Sequence, residues 1–137
     1  STLHRMHDLG VPDYLVAHTI EAVIAQRLVR KVCADCAEEV ELPPAERAAL
    51  GPGAEGLVHA YRGGGCGSCG GSGYFERTGL YELLLVTDRL REAFLARHGT
   101  RELRELALEN GMSTLRRDGI AKIREGVTTP EEVLRVS

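Results

Sequence analysis

Cys33-Ala34-Asp35-Cys36 and Cys66-Gly67-Ser68-Cys69, separated by 29 residues, contain every cysteine of this 137-residue chain. A tetrahedral zinc ion prefers soft thiolate ligands, and two short Cys-x-x-Cys turns each supply two of them. A metal bound by both pairs would close residues 37–65 into one compact module. The spacing therefore predicts a structural zinc site with four ligands: Cys33, Cys36, Cys66 and Cys69.

Three other uses of these cysteines are possible. Two disulfides would need an oxidising compartment, and the sequence shows no signal-peptide pattern. A Cys-x-x-Cys redox centre would account for one pair and leave the other unused. Iron is the alternative metal. A zinc ion with four protein thiolates has no open coordination position, so such a site is expected to hold structure rather than to catalyse a reaction.

Composition and charge restrict the remaining function classes. The chain is 43% hydrophobic but only 4% aromatic, and no run of apolar residues is long enough to span a membrane. Residues 33–61 contain six acidic residues and one basic residue, which gives this segment a net charge of −5. Zinc modules that bind nucleic acid usually present a basic surface to phosphates. The sequence therefore predicts no nucleic-acid partner.

Apolar periodicity and turn residues predict the helices and strands. One broad apolar stripe over residues 12–30 predicts a helix with a basic C-terminal end. A short helix is expected over residues 43–50, a strand over 57–61, and a hairpin from residues 74–75 and 80–86, whose last four residues read as a buried strand. Capping patterns then predict helices over 88–97 and 101–109, another from the Ser113 cap to 125, and a final one opened by a capping box, Thr129-Pro130-Glu131-Glu132.

No complete active site is visible in the sequence. It contains neither a G-x-x-x-x-G-K-[ST] phosphate loop nor an H-E-x-x-H metal motif. His4 and His7 have a spacing that metal ligands can use, but no third ligand accompanies them. By itself, this chain is not expected to hydrolyse a nucleotide.

Longer strings resemble the type II secretion and type IV pilus assembly ATPases and follow one another in the family's order over nearly the whole chain. They are Ser1-Thr2-Leu3-His4, Leu9-Gly10-Val11, AQRLVRKVC at 25–33, the second cysteine pair, GSGY at 71–74, RTGLYELL at 77–84, GMSTLRRDG at 111–119 and EGVTTPEEVLR at 125–135. The resemblance implies the C-terminal part of a motor that powers protein secretion or pilus extension.

The resemblance also implies a domain organisation within an α+β fold. Residues 1–32 would be the tail of a RecA-like ATPase domain, 33–73 a small four-cysteine zinc subdomain, and 74–137 a returning hairpin and a C-terminal helical lobe. ATP and Mg²⁺ would bind the parent motor between subunits of a homo-hexamer, with the phosphate loop and the Mg²⁺-binding strand upstream of this chain. The expected location is the bacterial cytoplasm, at an inner-membrane secretion or pilus platform.

Individual residues carry over at matching positions. His4 is similar to the histidine of the family's histidine box, near the nucleotide γ-phosphate, and Arg27 and Arg30 match a basic stretch that is a candidate for nucleotide contact. The four cysteines match the family's zinc ligands one for one.

The chain departs from the family in two places. Arg5 and the three residues after it follow His4 where the family usually continues with Thr-Asn-Asp, and Glu76 stands where a glycine is common. Two other interpretations remain open. Residues 66–73 also fit the Cys-x-x-Cys-x-Gly-x-Gly unit of J-domain chaperones, which would indicate a stand-alone zinc-dependent interaction module. A thiol redox protein is the other.

Overall fold

The computed structural model describes residues 5, 6, 8–109 and 111–137. Their helices and strands follow in this order: α1 Asp13–Thr19, β1 Ala22–Val32, β2 Ala37–Glu41, α2 Pro44–Leu50, β3 His59–Gly63, β4 Tyr74–Leu85, α3 Asp88–Leu95, α4 Thr100–Glu109, α5 Leu115–Arg124 and α6 Pro130–Val136. Helices combined with two separate two-stranded sheets confirm the predicted α+β class. Among these residues, no helix combines the length and the apolar character that crossing a membrane requires.

Strand β1 occupies the second half of the segment that was predicted to be one helix over residues 12–30, from Ala22 onward. That prediction is wrong beyond Thr19, where α1 ends, because Ile20 already has an extended backbone with φ −82° and ψ 120°. The β-branched residues of the segment suit a strand, and pairing with β4 overrides the helical spacing of its apolar side chains. Three basic residues predicted at a helix end lie on this strand instead: Arg27, Arg30 and Lys31.

Strand β4 is one continuous strand, so the predicted hairpin between residues 74–75 and 80–86 is wrong. Hydrogen bonds close both ends of its pairing with β1: Val86 N to Glu21 O at 2.9 Å, and Cys33 N to Gly73 O at 2.9 Å. The two strands therefore run in opposite directions. The end predicted to be a buried run is partly exposed, since Leu83 is 38% and Leu85 62% accessible.

The chain divides into two compact units. The first unit comprises the described residues up to Ala25 together with Glu82–Ser113. In it, α1 packs against α3, and α3 packs against α4. Arg91 of α3 donates to two carbonyls at the end of α1, Ala17 O at 2.6 Å and Ile20 O at 3.2 Å. The core of this unit consists of apolar side chains: Val16, Ala17, Leu90, Ala93, Phe94 and Leu103.

The second unit comprises Gln26–Tyr81 and Thr114–Ser137. Strands β2 and β3 form an antiparallel hairpin, and α5 and α6 pack against each other as well as against β3 and α2 respectively. Gly119 of α5 allows the close approach of α6, because a β-carbon at this position would overlap the Val133 side chain. The core contains these residues: Val29, Leu42, Leu50, Ala54, Leu57, Ala60, Leu80, Ile120, Ile123 and Val133.

Most predicted helices are present, with shifted ends. Helix α2 begins at Pro44, one residue later than predicted, and ends at Leu50 before Gly51, as predicted. The predicted cap of α5 is wrong by one residue, because the Thr114 hydroxyl, and not Ser113, accepts from Arg117 N. The Thr129 hydroxyl caps α6 by accepting from Glu132 N, which confirms half of the predicted capping box. The other half, a bond from Thr129 N to the Glu132 carboxylate, is not formed between these described residues, since that carboxylate accepts from Arg30 instead.

Candidate metal centre

The structure brings the four cysteine sulfurs together. One ligand atom from each residue lies within 4.8 Å of all the others, which is close enough to hold one metal ion. Three Sγ–Sγ distances are 3.8 Å: between Cys33 and Cys66, Cys36 and Cys69, and Cys66 and Cys69. We call these four residues the cysteine cluster. All four are free thiols.

These sulfur separations fit a single tetrahedral metal. With metal–sulfur bonds of ~2.3 Å, the edge of a regular tetrahedron is ~3.8 Å. A disulfide would instead require sulfur atoms ~2.05 Å apart. The residues present therefore fit a metal that takes four thiolate ligands.

Local turns place each cysteine pair. Cys33 directly follows β1 and Cys36 directly precedes β2, and the turn between them is closed by a bond from Cys36 N to Cys33 O at 3.4 Å. The second pair lies between β3 and β4, where Gly71 N donates to Cys66 O at 2.9 Å. The pairs approach each other because Cys33 N bonds Gly73 O and Gly64 N bonds Cys36 O.

Backbone donors favour a thiolate at Cys69. Cys66 N and Gly73 N each lie 3.2 Å from Cys69 Sγ, and their hydrogen bonds, the one from Cys66 first, lower the pKa of the Cys69 thiol to about 6. Desolvation instead raises the pKa of Cys36 to about 12 in the absence of a metal. The cluster thus pairs one readily ionised thiol with one whose ionisation needs a compensating positive charge.

Two glycines let the backbone segments beside the cluster touch. A β-carbon on Gly63 would collide with the Gly73 carbonyl, and one on Gly73 would collide with the Gly63 carbonyl. Gly73 also has a φ of +80°, which side-chain-bearing residues rarely adopt. Glycine is therefore required at positions 63 and 73 by the close approach of the segments that carry the cysteines.

The other predicted site residues are not part of this cluster. His4 lies outside the described residues. Arg27 and Arg30 are three positions apart on a strand, where side chains alternate, so they project from opposite faces. The Arg27 guanidinium donates to the carbonyl of Gln26 at 2.9 Å. The Arg30 guanidinium stacks over the Tyr74 ring, with its central carbon 4.1 Å from the ring centroid.

Sequence reasoning missed the residue to which Arg30 is bound. Glu132 is only 2% exposed, and its carboxylate accepts from Arg30 N at 2.8 Å, Arg30 Nη2 at 2.9 Å and Arg135 Nη2 at 2.9 Å. Burial by itself would raise the pKa of Glu132, but the hydrogen bonds from Arg135 and Arg30 outweigh it and lower the pKa to about 2. The capping-box pattern identified Glu132 but predicted that it would bind the nearby backbone of its own helix, not Arg30.

Comparison with known proteins identifies the family. The family described as "Type II/IV secretion system protein" matches residues 1–135. The chain is 41% identical over 132 residues to the type IV pilus assembly ATPase PilB of Thermus thermophilus, covering 95% of this chain and 15% of that protein. It is 36% identical over 146 residues to the type II secretion system ATPase E of Vibrio cholerae, and 40% identical over 148 residues to the type II secretion system protein E of Pseudomonas aeruginosa. Each of these two alignments covers 100% of this chain and 29% of the relative.

The chain thus spans 15% to 29% of the length of these relatives. On the strength of a family match over nearly every residue, the chain belongs to the type II/IV secretion system protein family.

Proposed function

We propose that this chain is the C-terminal portion of a hexameric motor ATPase that powers protein secretion or pilus extension, and that it carries a structural zinc ion. The observation that supports this best is a four-sulfur cluster of tetrahedral dimensions in a chain that matches the secretion family over residues 1–135. The motor activity belongs to a longer protein, since the chain covers only 15% to 29% of its relatives.

Zinc is the proposed metal because the donor set consists of four cysteine sulfurs. Thiolates are soft ligands, and a closed tetrahedral set of four is typical of structural zinc. Four protein ligands leave no coordination position for water or substrate. The metal would therefore contribute folding free energy and would fix the β2–β3 hairpin against the turn that carries Cys66 and Cys69.

The finer organisation follows from the family resemblance. We assign residues 1–32 to the end of the RecA-like domain, 33–73 to the zinc subdomain and the remainder to the C-terminal lobe. ATP and Mg²⁺ would bind residues upstream of this chain. His4, Arg27 and Arg30 remain candidates for nucleotide contact, although Arg30 already binds Glu132 with two of its guanidinium nitrogens.

The partners are proposed on the same basis. The parent protein would form a homo-hexamer in the bacterial cytoplasm, at the inner face of an inner-membrane secretion or pilus platform. Acidic side chains are exposed along β2, at Glu38, Glu39 and Glu41, which disfavours a nucleic-acid partner for this surface. We therefore propose that the zinc subdomain presents a surface for protein partners.

A native mass spectrum of the chain, purified under reducing conditions, tests the metal proposal directly. We expect one zinc ion per chain and four thiols protected from alkylation until a chelator is added. A metal-free chain that loses about four mass units on oxidation, two per disulfide, would contradict structural zinc and favour thiol redox chemistry.

The motor proposal needs the full-length protein. We expect ATP hydrolysis by hexamers of the full-length protein and none by this chain alone. ATPase activity is also compared between two full-length variants, Cys66→Ser and its matched control Ser68→Ala, which changes an exposed residue in the same turn. A full-length protein without ATPase activity would contradict the motor role while leaving the zinc proposal intact.

A further inference from the structure

Three arginines of the second unit converge on one open recess. Its wall is formed by Leu28 and Arg30 of β1, Arg77 of β4 and Arg135 of α6, and its volume is about 470 Å³. We call these four residues the arginine recess. The three arginines come from sequence positions far apart, so the fold, and not a local basic run, brings them together.

A buried carboxylate holds two of these arginines in place. Glu132 binds Arg30 through Nε at 3.1 Å and Nη2 at 2.9 Å, and it binds Arg135 through Nη2 at 2.9 Å. Arg135 also donates to the carbonyl of Leu28 at 3.3 Å. The Tyr74 ring lies against Arg30. Because Glu132 is 2% exposed, these contacts fix two guanidinium groups at the recess wall.

The contacts of Glu132 do not account for the position of Arg77 at the recess. Its side chain is exposed, and among the residues that the structure describes it forms no ion pair with Glu132, whose partners are Arg30 and Arg135. Three guanidinium groups line the recess, and the Glu132 carboxylate pairs with only two of them, so the lining carries an excess of positive charge. Like charges that share a concave site repel one another unless an anion joins them.

The backbone before Arg77 is unusual as well. Glu76 has a φ of +62°, a left-handed conformation inside an otherwise extended strand. Side-chain-bearing residues rarely adopt this conformation, and irregular residues of this kind in strands often redirect a neighbouring side chain. This conformation immediately precedes the one arginine of the recess that Glu132 does not hold.

We propose that the arginine recess binds a phosphate-bearing anion, with Arg77 contacting the ligand and Glu132 acting as the positioning residue for Arg30 and Arg135. A phosphate group complements the positively charged lining of the recess. Guanidinium groups bind phosphate oxygens through paired N–H donors, a geometry that lysine cannot reproduce. The phosphate could belong to a soluble ligand or to a lipid headgroup, and both sources share this chemistry.

The first test is calorimetric titration of the metal-loaded chain with inorganic pyrophosphate at low ionic strength. We expect saturable binding of one pyrophosphate per chain, and Arg77→Gln should weaken it by about tenfold or more, the effect of losing one charge-assisted contact. Arg117→Gln is the matched control, because Arg117 is exposed in the same unit but lies outside the recess. It should change affinity less than about twofold.

Two further measurements separate binding from folding. Arg77→Lys should restore only part of the affinity, and the melting temperatures of all three variants should equal that of the unmodified chain. In an NMR titration of the unmodified chain, pyrophosphate should shift the amide signals of Arg30, Arg77 and Arg135 before others. Equal losses of affinity in Arg77→Gln and Arg117→Gln would overturn the proposal, because they would indicate nonspecific attraction to positive charge.

The source of the phosphate is tested with vesicles. Phosphatidylcholine vesicles with and without phosphatidylglycerol are floated together with the chain and with the Arg77→Gln variant. Arg77-dependent binding to the anionic vesicles alone assigns the recess to a lipid headgroup, and pyrophosphate binding without vesicle binding assigns it to a soluble phosphate. Absence of both overturns the proposal. This outcome does not depend on the zinc proposal, which is tested by the native mass spectrum.

Discussion

The two units differ in what their interiors contain. The first unit buries apolar helix side chains, such as Val16, Leu90 and Phe94. The second unit has an apolar core too, but it also contains the cysteine cluster and every buried polar residue found among the described residues: Thr128, Thr129 and Glu132. Apolar burial is nondirectional and tolerates substitution, whereas a thiolate cluster or a buried carboxylate depends on particular partners. Single substitutions of polar groups should therefore damage the second unit more than the first.

Removal of one sulfur ligand is the strongest test of this comparison. Structural zinc contributes an apparent ~10–16 kcal/mol in zinc-finger peptides, so Cys66→Ser should cause a large local loss of structure. We expect hydrogen-exchange protection to fall across residues 37–65. It should also fall in α5 and α6, because Ile123 and Val133 share the core with Leu42 and Leu50 of the module. Helices α3 and α4, which belong to the first unit, should keep their protection.

Ser68→Ala provides the control for this exchange experiment, because it changes the same turn and leaves all four sulfurs in place. If α3 and α4 lose protection together with the module in Cys66→Ser, the two units do not differ in the way proposed. Unchanged protection of residues 37–65 would show that the metal does not organise the module.

Glu132 allows a second test, of intermediate size. A lowering of its pKa from 4.5 to about 2 corresponds to roughly 3 kcal/mol of stabilisation, at ~1.36 kcal/mol per pKa unit. We expect Glu132→Gln to lower the free energy of unfolding by about 2–3 kcal/mol at pH 7, measured by urea denaturation. Glu92→Gln, at an exposed position of the first unit, should change it by less than about 0.5 kcal/mol.

The same carboxylate predicts a pH dependence. The folded-state pKa of Glu132 is below its ordinary value, so its contribution is complete above pH ~4.5 and is lost as the pH falls toward ~2. The gap in stability between the unmodified chain and Glu132→Gln should narrow over that range. Acid also protonates the thiolates in both proteins, so the difference between them at each pH is the quantity to measure. A gap that stays constant down to pH ~3 would contradict the Arg30–Glu132–Arg135 network.

The sequence predicted those features whose cause lies in neighbouring residues. The cysteine cluster could be predicted because each Cys-x-x-Cys turn forms locally. The cap at Thr129 could be predicted because its donor, the backbone N–H of Glu132, is three residues away. The same locality explains why helix α2 begins and ends close to the predicted residues.

The features that were missed depend on partners distant in sequence. Strand β1 was predicted as helix because its apolar residues fit both periods, and the choice is made by pairing with β4, which begins about 40 residues further on. Glu132 was predicted to complete its own capping box, but its carboxylate accepts from Arg30, which is 102 residues away in sequence. No local pattern contains either partner.

The smallest predicted effect concerns backbone strain. In the part of each unit that the structure describes, one residue other than glycine has a positive φ. Glu76 of the second unit has a φ of +62°, and Arg97 of the first unit has a φ of +60°. Replacing either residue with glycine relieves ~1–2 kcal/mol of left-handed strain but restores freedom to the unfolded chain worth ~0.5–1 kcal/mol. We therefore expect Glu76→Gly to raise the free energy of unfolding by about 0.5–1 kcal/mol in urea denaturation. The gain in Arg97→Gly should be smaller, because Arg97 takes part in a further interaction.

Glu76→Ala separates backbone strain from charge at this site, because alanine removes the carboxylate and keeps the β-carbon. If alanine stabilises the chain as much as glycine does, repulsion or desolvation of the carboxylate, and not φ, is the cause. Glu76→Gly also bears on the arginine recess. If Glu76→Gly both stabilises the second unit and weakens pyrophosphate binding, then the strained backbone at residue 76 holds Arg77 toward the ligand. In that case the unit gives up part of its stability to maintain a binding geometry. Arg97 does not line the recess, so Arg97→Gly should leave pyrophosphate binding unchanged, and the two substitutions should differ in their effect on binding.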